Sequence, residues 1–186
     1  EKDVELISNE IKRNSKEKYG LISKTFHWYM AVLILFVLLL GNLSEHTPDK
    51  YYDLLLLVHN SLGLILFALV FLRLLWRWSN PKPKKIGLNK LFHTLSNTAF
   101  FVFYFGMIAA PITGYVLMNI EGKQVSFFGY KLISFVGENN NYEKLAHNFH
   151  GIAGDLLLYT FIFHLIAAMY HHYVKNDNTL KRMLFN

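Results

Sequence analysis

"HGIAGDLLLYTFIFH" (residues 150–164) begins and ends on histidine and is otherwise apolar apart from Asp155 and Thr160. Fourteen residues of α-helix rise about 21 Å and turn nearly four times, which leaves His150 and His164 within roughly 40° of one another on one face. The apolar run extends over residues 145–173, longer than the ~20 residues that carry a helix across a hydrocarbon core of about 30 Å. A polar ring inside a membrane is tolerated when it faces a bundle and has a partner there. The stretch therefore predicts a spanning helix that turns two histidines, at two depths, toward neighbouring helices.

Three more blocks are equally apolar, at residues 21–43, 54–78 and 91–118, and the whole chain is 53% hydrophobic and 16% aromatic. That exceeds the composition of an ordinary soluble domain. Within a bilayer only helices or closed barrels satisfy their own backbone groups, so the predicted fold is all-α, an integral membrane four-helix bundle. The first block, ending "LILFVLLLGNLSEH" (residues 33–46), has no small-x-small cleavage pattern and too long an apolar run for a signal peptide. Residues 1–18 form a polar tail of mixed charge, read as frayed or as a short surface helix; residues 19–186 form one membrane domain, with "SNPKPKK" (residues 79–85) its only Pro-punctuated linker.

The net charge is +6, and its distribution argues against nucleic acid as a partner. Of the 19 lysines and arginines, all but Lys50, Lys123, Lys131 and Lys144 fall on the side of the membrane that would hold both termini. By the positive-inside rule that side is the cytoplasm. The outer segments set those four lysines against Glu45, Asp49, Asp53, Glu121, Glu138 and Glu143, an acidic balance on the outside.

There is no cysteine. Covalent haem attachment, iron–sulfur ligation, thiolate zinc sites and disulfides are all excluded, so any metal must be held mainly by histidine. In this topology His27 opens the first helix on the cytoplasmic side and meets the depth of His164, while His59 opens the descending second helix and meets that of His150. Two nitrogens per layer do not close a tetrahedral zinc site. They do complete a six-coordinate haem iron, so the four histidines predict two haems between the helices, and Gly63, Gly151 and Gly154 are expected to let a flat macrocycle approach the backbone.

The other histidines have plainer readings. His46, His93 and His147 are expected to be interfacial or solvated, and His172 to face away from His171 at the interface. His171 lies seven residues after His164, about 10 Å further along nearly the same face, where it could touch a quinone headgroup or a haem propionate. Arg73 and Arg77, four apart on one face, are candidates for pairing with propionates. Asp155 is expected to be protonated or hydrogen-bonded between helices.

The motifs "YGLISKTFHW" (residues 19–28), "VHNSLGLILFALVFLRLLWR" (58–77), "APITGYVLM" (110–118) and "HGIAGDLLLYTFIFHLIAAMYHHYVKNDNTLKRML" (150–184) resemble the bacterial cytochrome b561 family of di-haem membrane proteins. The most specific is "HHY" followed by "DNTLKRM", for which the sequence shows no packing reason. The resemblance implies two non-covalent b-type haems on His27, His59, His150 and His164, and a place in the bacterial inner membrane. It further implies oxidation of superoxide at the periplasmic side and reduction of ubiquinone, with His171 near the quinone. Other members of the family are cytochrome b subunits that pass electrons between a partner dehydrogenase or hydrogenase and quinone. Relatives often carry a histidine deeper in the third helix, where this chain has Asn97 and Phe100.

Overall fold

The computed structural model describes residues 12–84, 86 and 90–185. Four long helices make up the architecture: α1 (Leu21–Glu45), α2 (Asp49–Trp78), α3 (Lys90–Ile120) and α4 (Glu143–Tyr173). Each is long and apolar enough to cross a membrane, and all four contain the expected apolar blocks with a few residues added at the ends. Between α3 and α4 lies a two-stranded antiparallel hairpin, β1 (Ser126–Phe127) and β2 (Tyr130–Lys131). One end of the bundle, the hairpin end, carries this element. The other, the terminal end, carries the segments before α1, between α2 and α3, and after α4.

The helices pack as two antiparallel pairs, α1 with α2 and α3 with α4, joined mainly through α2 and α3. A cluster of Met30, Leu33, Ile34, Leu66, Val70, Met107 and Leu157 fills the middle. On the α3–α4 side a Cβ added to Gly106 would stand 2.7 Å from Leu157 Cδ2, the close approach that small residues permit between membrane helices. Large apolar side chains such as Phe36, Phe101 and Phe163 point outward, as a lipid-facing surface requires.

The terminal end is tied together by polar contacts. Lys84 N–H donates to Lys16 O at 2.9 Å, and Asn14 Nδ2 donates to Pro81 O at 3.2 Å while its Oδ1 accepts from Gly20 N–H and Ser23 Oγ. Residues 14–18 are thus fastened to the α2–α3 connection rather than frayed; the earlier part of the polar tail, residues 1–11, lies outside the described residues.

The segment after α4 folds back as a strap. A short 3-10 turn (Lys181–Met183) presents Met183 O to Trp28 Nε1 at 2.7 Å and Leu184 O to Lys24 Nζ at 2.6 Å. Arg182 donates to Lys84 O at 2.8 Å and to Glu17 O. Asp177 starts the strap: one carboxylate oxygen accepts Thr179 N–H at 2.8 Å and the other lies 2.5 Å from His171 Nδ1. The "DNTLKRM" motif therefore has a packing reason, which is long-range and invisible in the local sequence.

Desolvation pushes the Asp177 carboxyl up, but hydrogen bonds from Thr179 and His171 outweigh it and hold the group below its ordinary value. A depressed carboxylate stabilises the strap above that ordinary value and loses the contribution as pH falls through the lowered one. A spin label on Asn178→Cys should accordingly be immobile at neutral pH and become mobile in acid below the usual carboxylate range, and in Asp177→Asn it should be mobile throughout.

Candidate metal centre

The four histidines predicted as ligands come together in two pairs. The His59 and His150 ring centroids are 6.0 Å apart, with planes at 85°. Those of His27 and His164 are 6.1 Å apart at 63°. A metal with nitrogen ligands at about 2.0–2.1 Å holds two trans imidazoles with centroids on the order of 6 Å apart, once the distance from each nitrogen to its ring centre is added. Both pairs have that spacing. Among the described residues no three His, Asp or Glu converge on a metal-sized site, so these residues offer two ligands per layer, and a macrocycle supplying the other four fits the donor set.

The hairpin-side pair is oriented by one device used twice. His59 Nδ1, on α2, donates to Val37 O of α1 at 2.9 Å. His150 Nδ1, on α4, donates to Ala110 O of α3 at 3.1 Å, with Thr113 Oγ1 at 3.4 Å. A carbonyl only accepts, so Nδ1 carries the proton and Nε2 keeps the lone pair that a metal needs. Four residues beyond each acceptor carbonyl stands a glycine, Gly41 or Gly114. A Cβ built on Gly41 would lie 3.0 Å from His59 Cε1, and one on Gly114 would lie 2.8 Å from His150 Cε1. The missing side chains let each ring lie flat enough on the neighbouring helix to reach its carbonyl.

These two glycines escaped the sequence reading, which chose Gly63, Gly151 and Gly154. No protein atom approaches within 4 Å of a Cβ at any of those three; they leave space open instead of fixing a ring. Gly63 does line a small, half-open cleft with His59, His150, Pro111, Gly114 and Val125, on the side where a flat ligand between the two rings would emerge. The signal for Gly41 and Gly114 was the repeated four-residue offset, which means nothing until the acceptor carbonyls are known.

The terminus-side pair is set among aromatic and cationic groups. Trp28 meets His27 edge-on at 5.3 Å and Phe103 meets His164 edge-on at 5.6 Å. Arg73 lies 5.9 Å from the Tyr104 ring and has Nη1 3.9 Å from Sδ of Met30, three residues beyond His27 on α1. Arg77 sits over the Phe100 ring at 4.3 Å. Among the described residues neither guanidinium has an acidic partner, and the buried Tyr104 hydroxyl has no hydrogen-bond partner. Unpaired donors at membrane depth are the setting for an anionic group. The sequence pointed to the arginines; Tyr104 joins them only through the packing of α3 on α2.

His171 is buried and committed to the strap through Asp177, with Phe92 and Tyr170 against its ring. Of the histidines with plainer readings, His46 and His147 are exposed as expected, with His46 Nδ1 bonded to Asn42 O at 2.9 Å, and His93 is half-buried. His172, expected at the interface, is half-buried, with its Nδ1 shielded and without a hydrogen-bond partner among the described residues. Asp155 is exposed and makes no interhelical hydrogen bond among the described residues. Two residues from Ala153 and from Leu157, it points about 160° away from the stripe of α4 that packs on α3.

Residues 18–186 match the family model described as prokaryotic cytochrome b561. The chain is similar to "Cytochrome b561 homolog 2" of Escherichia coli (strain K12), 28% identical over 178 residues that cover 92% of this chain and 93% of the relative. It is 27% identical to the "Probable superoxide oxidase CybB" of Yersinia pestis over 171 residues, 90% of this chain and 96% of that one. "Cytochrome b561 homolog 1" of Escherichia coli (strain K12) is 28% identical over 165 residues, 85% and 92% of the two chains.

Proposed function

Because this chain belongs to the prokaryotic cytochrome b561 family, a family of b-type haem proteins that transfer electrons in membranes, we propose that it carries electrons between its two histidine pairs, from superoxide at the periplasmic side to ubiquinone near the cytoplasmic side. The observation that carries this reading is the stacking of two pairs, each about 6 Å across, at two levels of one bundle. Each pair would hold one non-covalent haem b: His59 and His150 at the hairpin end, which faces the periplasm, and His27 and His164 at the terminal end, which faces the cytoplasm. When bound, the haems would supply reversible one-electron chemistry.

The protein's own groups orient, shield and charge-balance the site. Val37 and Ala110 fix the tautomer and the angle of the periplasmic ligands. Arg73 and Arg77, with the Tyr104 hydroxyl, hold the carboxylates of the cytoplasmic haem. His171 in its doubly protonated form, with Nδ1–H held by Asp177, donates Nε2–H to one carbonyl of the quinone and passes that proton to the oxygen as it is reduced, the second proton coming from the cytoplasmic water. Two superoxide anions give up one electron each and leave as two O₂; one ubiquinone takes both electrons and two protons and leaves as ubiquinol.

A second reading, that of a cytochrome b subunit serving a partner dehydrogenase or hydrogenase, is favoured by one observation at the periplasmic mouth. Lys123 is held protonated chiefly by its hydrogen bond to Glu121 at 2.8 Å, so its charge is balanced there and adds little to a field that would gather superoxide. The purified chain decides between the two. Prompt reduction of its b-type spectrum by superoxide, followed by reoxidation with ubiquinone, supports the first; reduction only in the presence of a partner enzyme supports the second.

Within either reading His171→Leu should leave the haem spectrum intact and slow reoxidation by added ubiquinone at least tenfold, while chemical reduction stays as fast as in the wild type. Stopped-flow measurement of each half-reaction checks this. Unchanged reoxidation would confine His171 to fastening the strap.

A further inference from the structure

The hairpin between α3 and α4 makes a contact whose depth is informative. Ser61, fully buried, donates to Leu57 O at 2.7 Å and accepts the N–H of Phe128 at 2.9 Å. Ser61 lies seven residues past Leu54, where the apolar run of α2 begins, which is about 10 Å along the helix axis. It also follows His59 by two residues and so points about 160° away from it, toward the outside of the bundle. The hairpin tip therefore lies on the outer surface of α2, at the level of the His59/His150 pair, inside the apolar belt.

The tip's chemistry matches that depth. Phe128 and Gly129 have φ of 46° and 97°, the signature of a type I′ turn, which in water takes Asn-Gly or Asp-Gly. A bulky residue at the first position is strained. Phenylalanine there makes sense where its neighbours are acyl chains, and its N–H, which no water could satisfy, is taken by the serine. Phe128 is 53% exposed. Lys131 pairs with Ser126 one rung above the turn, about 3 Å nearer the interface than Tyr130, and its long stem carries the ammonium group further toward water.

We propose that this hairpin is a re-entrant element whose tip is seated among lipid acyl chains of the hairpin-side leaflet. Val125, just before β1, lines the cleft beside His59 and His150, so the seated hairpin walls the cleft off laterally and leaves the loop above it as the route for a donor. This inference rests on the membrane-spanning fold and not on the identity of the donor.

The chain's lack of cysteine makes a spin-label test direct. Single variants Phe128→Cys and Phe127→Cys, in nanodiscs and with an intact b-type spectrum, are compared with Leu54→Cys on the exposed face of α2 and with the aqueous reference Lys82→Cys. The expected result is oxygen accessibility at 127 and 128 equal to or above that at 54, with accessibility to a water-soluble nickel chelate several-fold below that at 82. Adding Ser61→Ala should raise nickel accessibility at 128, because the freed N–H draws the tip outward. High nickel accessibility at both tip positions would overturn the proposal in favour of an aqueous loop. Low accessibility to both reagents would overturn it in favour of a protein partner or a second copy covering the tip.

Discussion

Alanine at His59 or at His150 is expected to cut the b-type haem content from about two per chain to about one, and alanine at His27 or His164 to do the same with loss of the other haem. The grouping follows from the two pairs, since no third His, Asp or Glu among the described residues stands ready to replace a lost ligand. Haem-to-protein ratios measure the loss, and redox titration of what remains sorts the variants: His59→Ala and His150→Ala should retain one midpoint potential, His27→Ala and His164→Ala the other. If His27→Ala groups with His59→Ala, the pairing is wrong. Acid–acetone should extract all of the pigment, because the chain has no cysteine to hold it.

The second large effect is expected at a residue with no functional group. Gly114→Ala puts a methyl 2.8 Å from His150 Cε1, inside any real carbon contact, whereas Gly41→Ala puts one 3.0 Å from His59 Cε1. The His150 ring must move, and its bond to Ala110 O is lost with the movement. Loss of an orienting partner behind a metal ligand typically costs 10–100-fold in affinity. Gly114→Ala should therefore weaken haem retention at the hairpin-side site by about that factor, with a high-spin ferric signal appearing as the ligand slips, while the terminus-side haem keeps its spectrum. Gly41→Ala should show the same signal more weakly. Equal and unperturbed spectra in both variants would mean that the rings are not pressed against these helices.

Four spanning helices and four of the site residues were legible because both depend on period and depth, quantities that a linear sequence carries directly. His150 and His164 share a face by helical arithmetic, and topology brings His27 and His59 to their levels. What stayed hidden depends on contacts between distant parts of the chain. Tyr104 was one of eleven tyrosines until α3 placed it beside Arg73. Asp177 and Met183 lay in a charged segment with no apolar period, and their function lies in partners on α4 and α1. Of the two states expected for Asp155, the interhelical hydrogen bond is the one that does not form: rotation by two residues from the packing stripe turns the side chain outward. The hairpin was too short and irregular to announce itself, and its strained turn reverses the residue preference by which hairpins are usually found.

The division of the bundle into two helical hairpins bears on how the molecule is put together. His59 is steadied by α1, its own hairpin partner, and His150 by α3, its own. Each module thus readies its ligand without help from the other, while both histidine pairs straddle the seam between the modules, which the protein itself packs mainly through α2 and α3. The molecule is built like a heterodimer on a single chain, with the proposed haem sites as bolts through the joint. Cofactor loading in such a design is also quaternary-style assembly, and the two halves, expressed as separate polypeptides, should find each other far better when haem is supplied than when it is withheld.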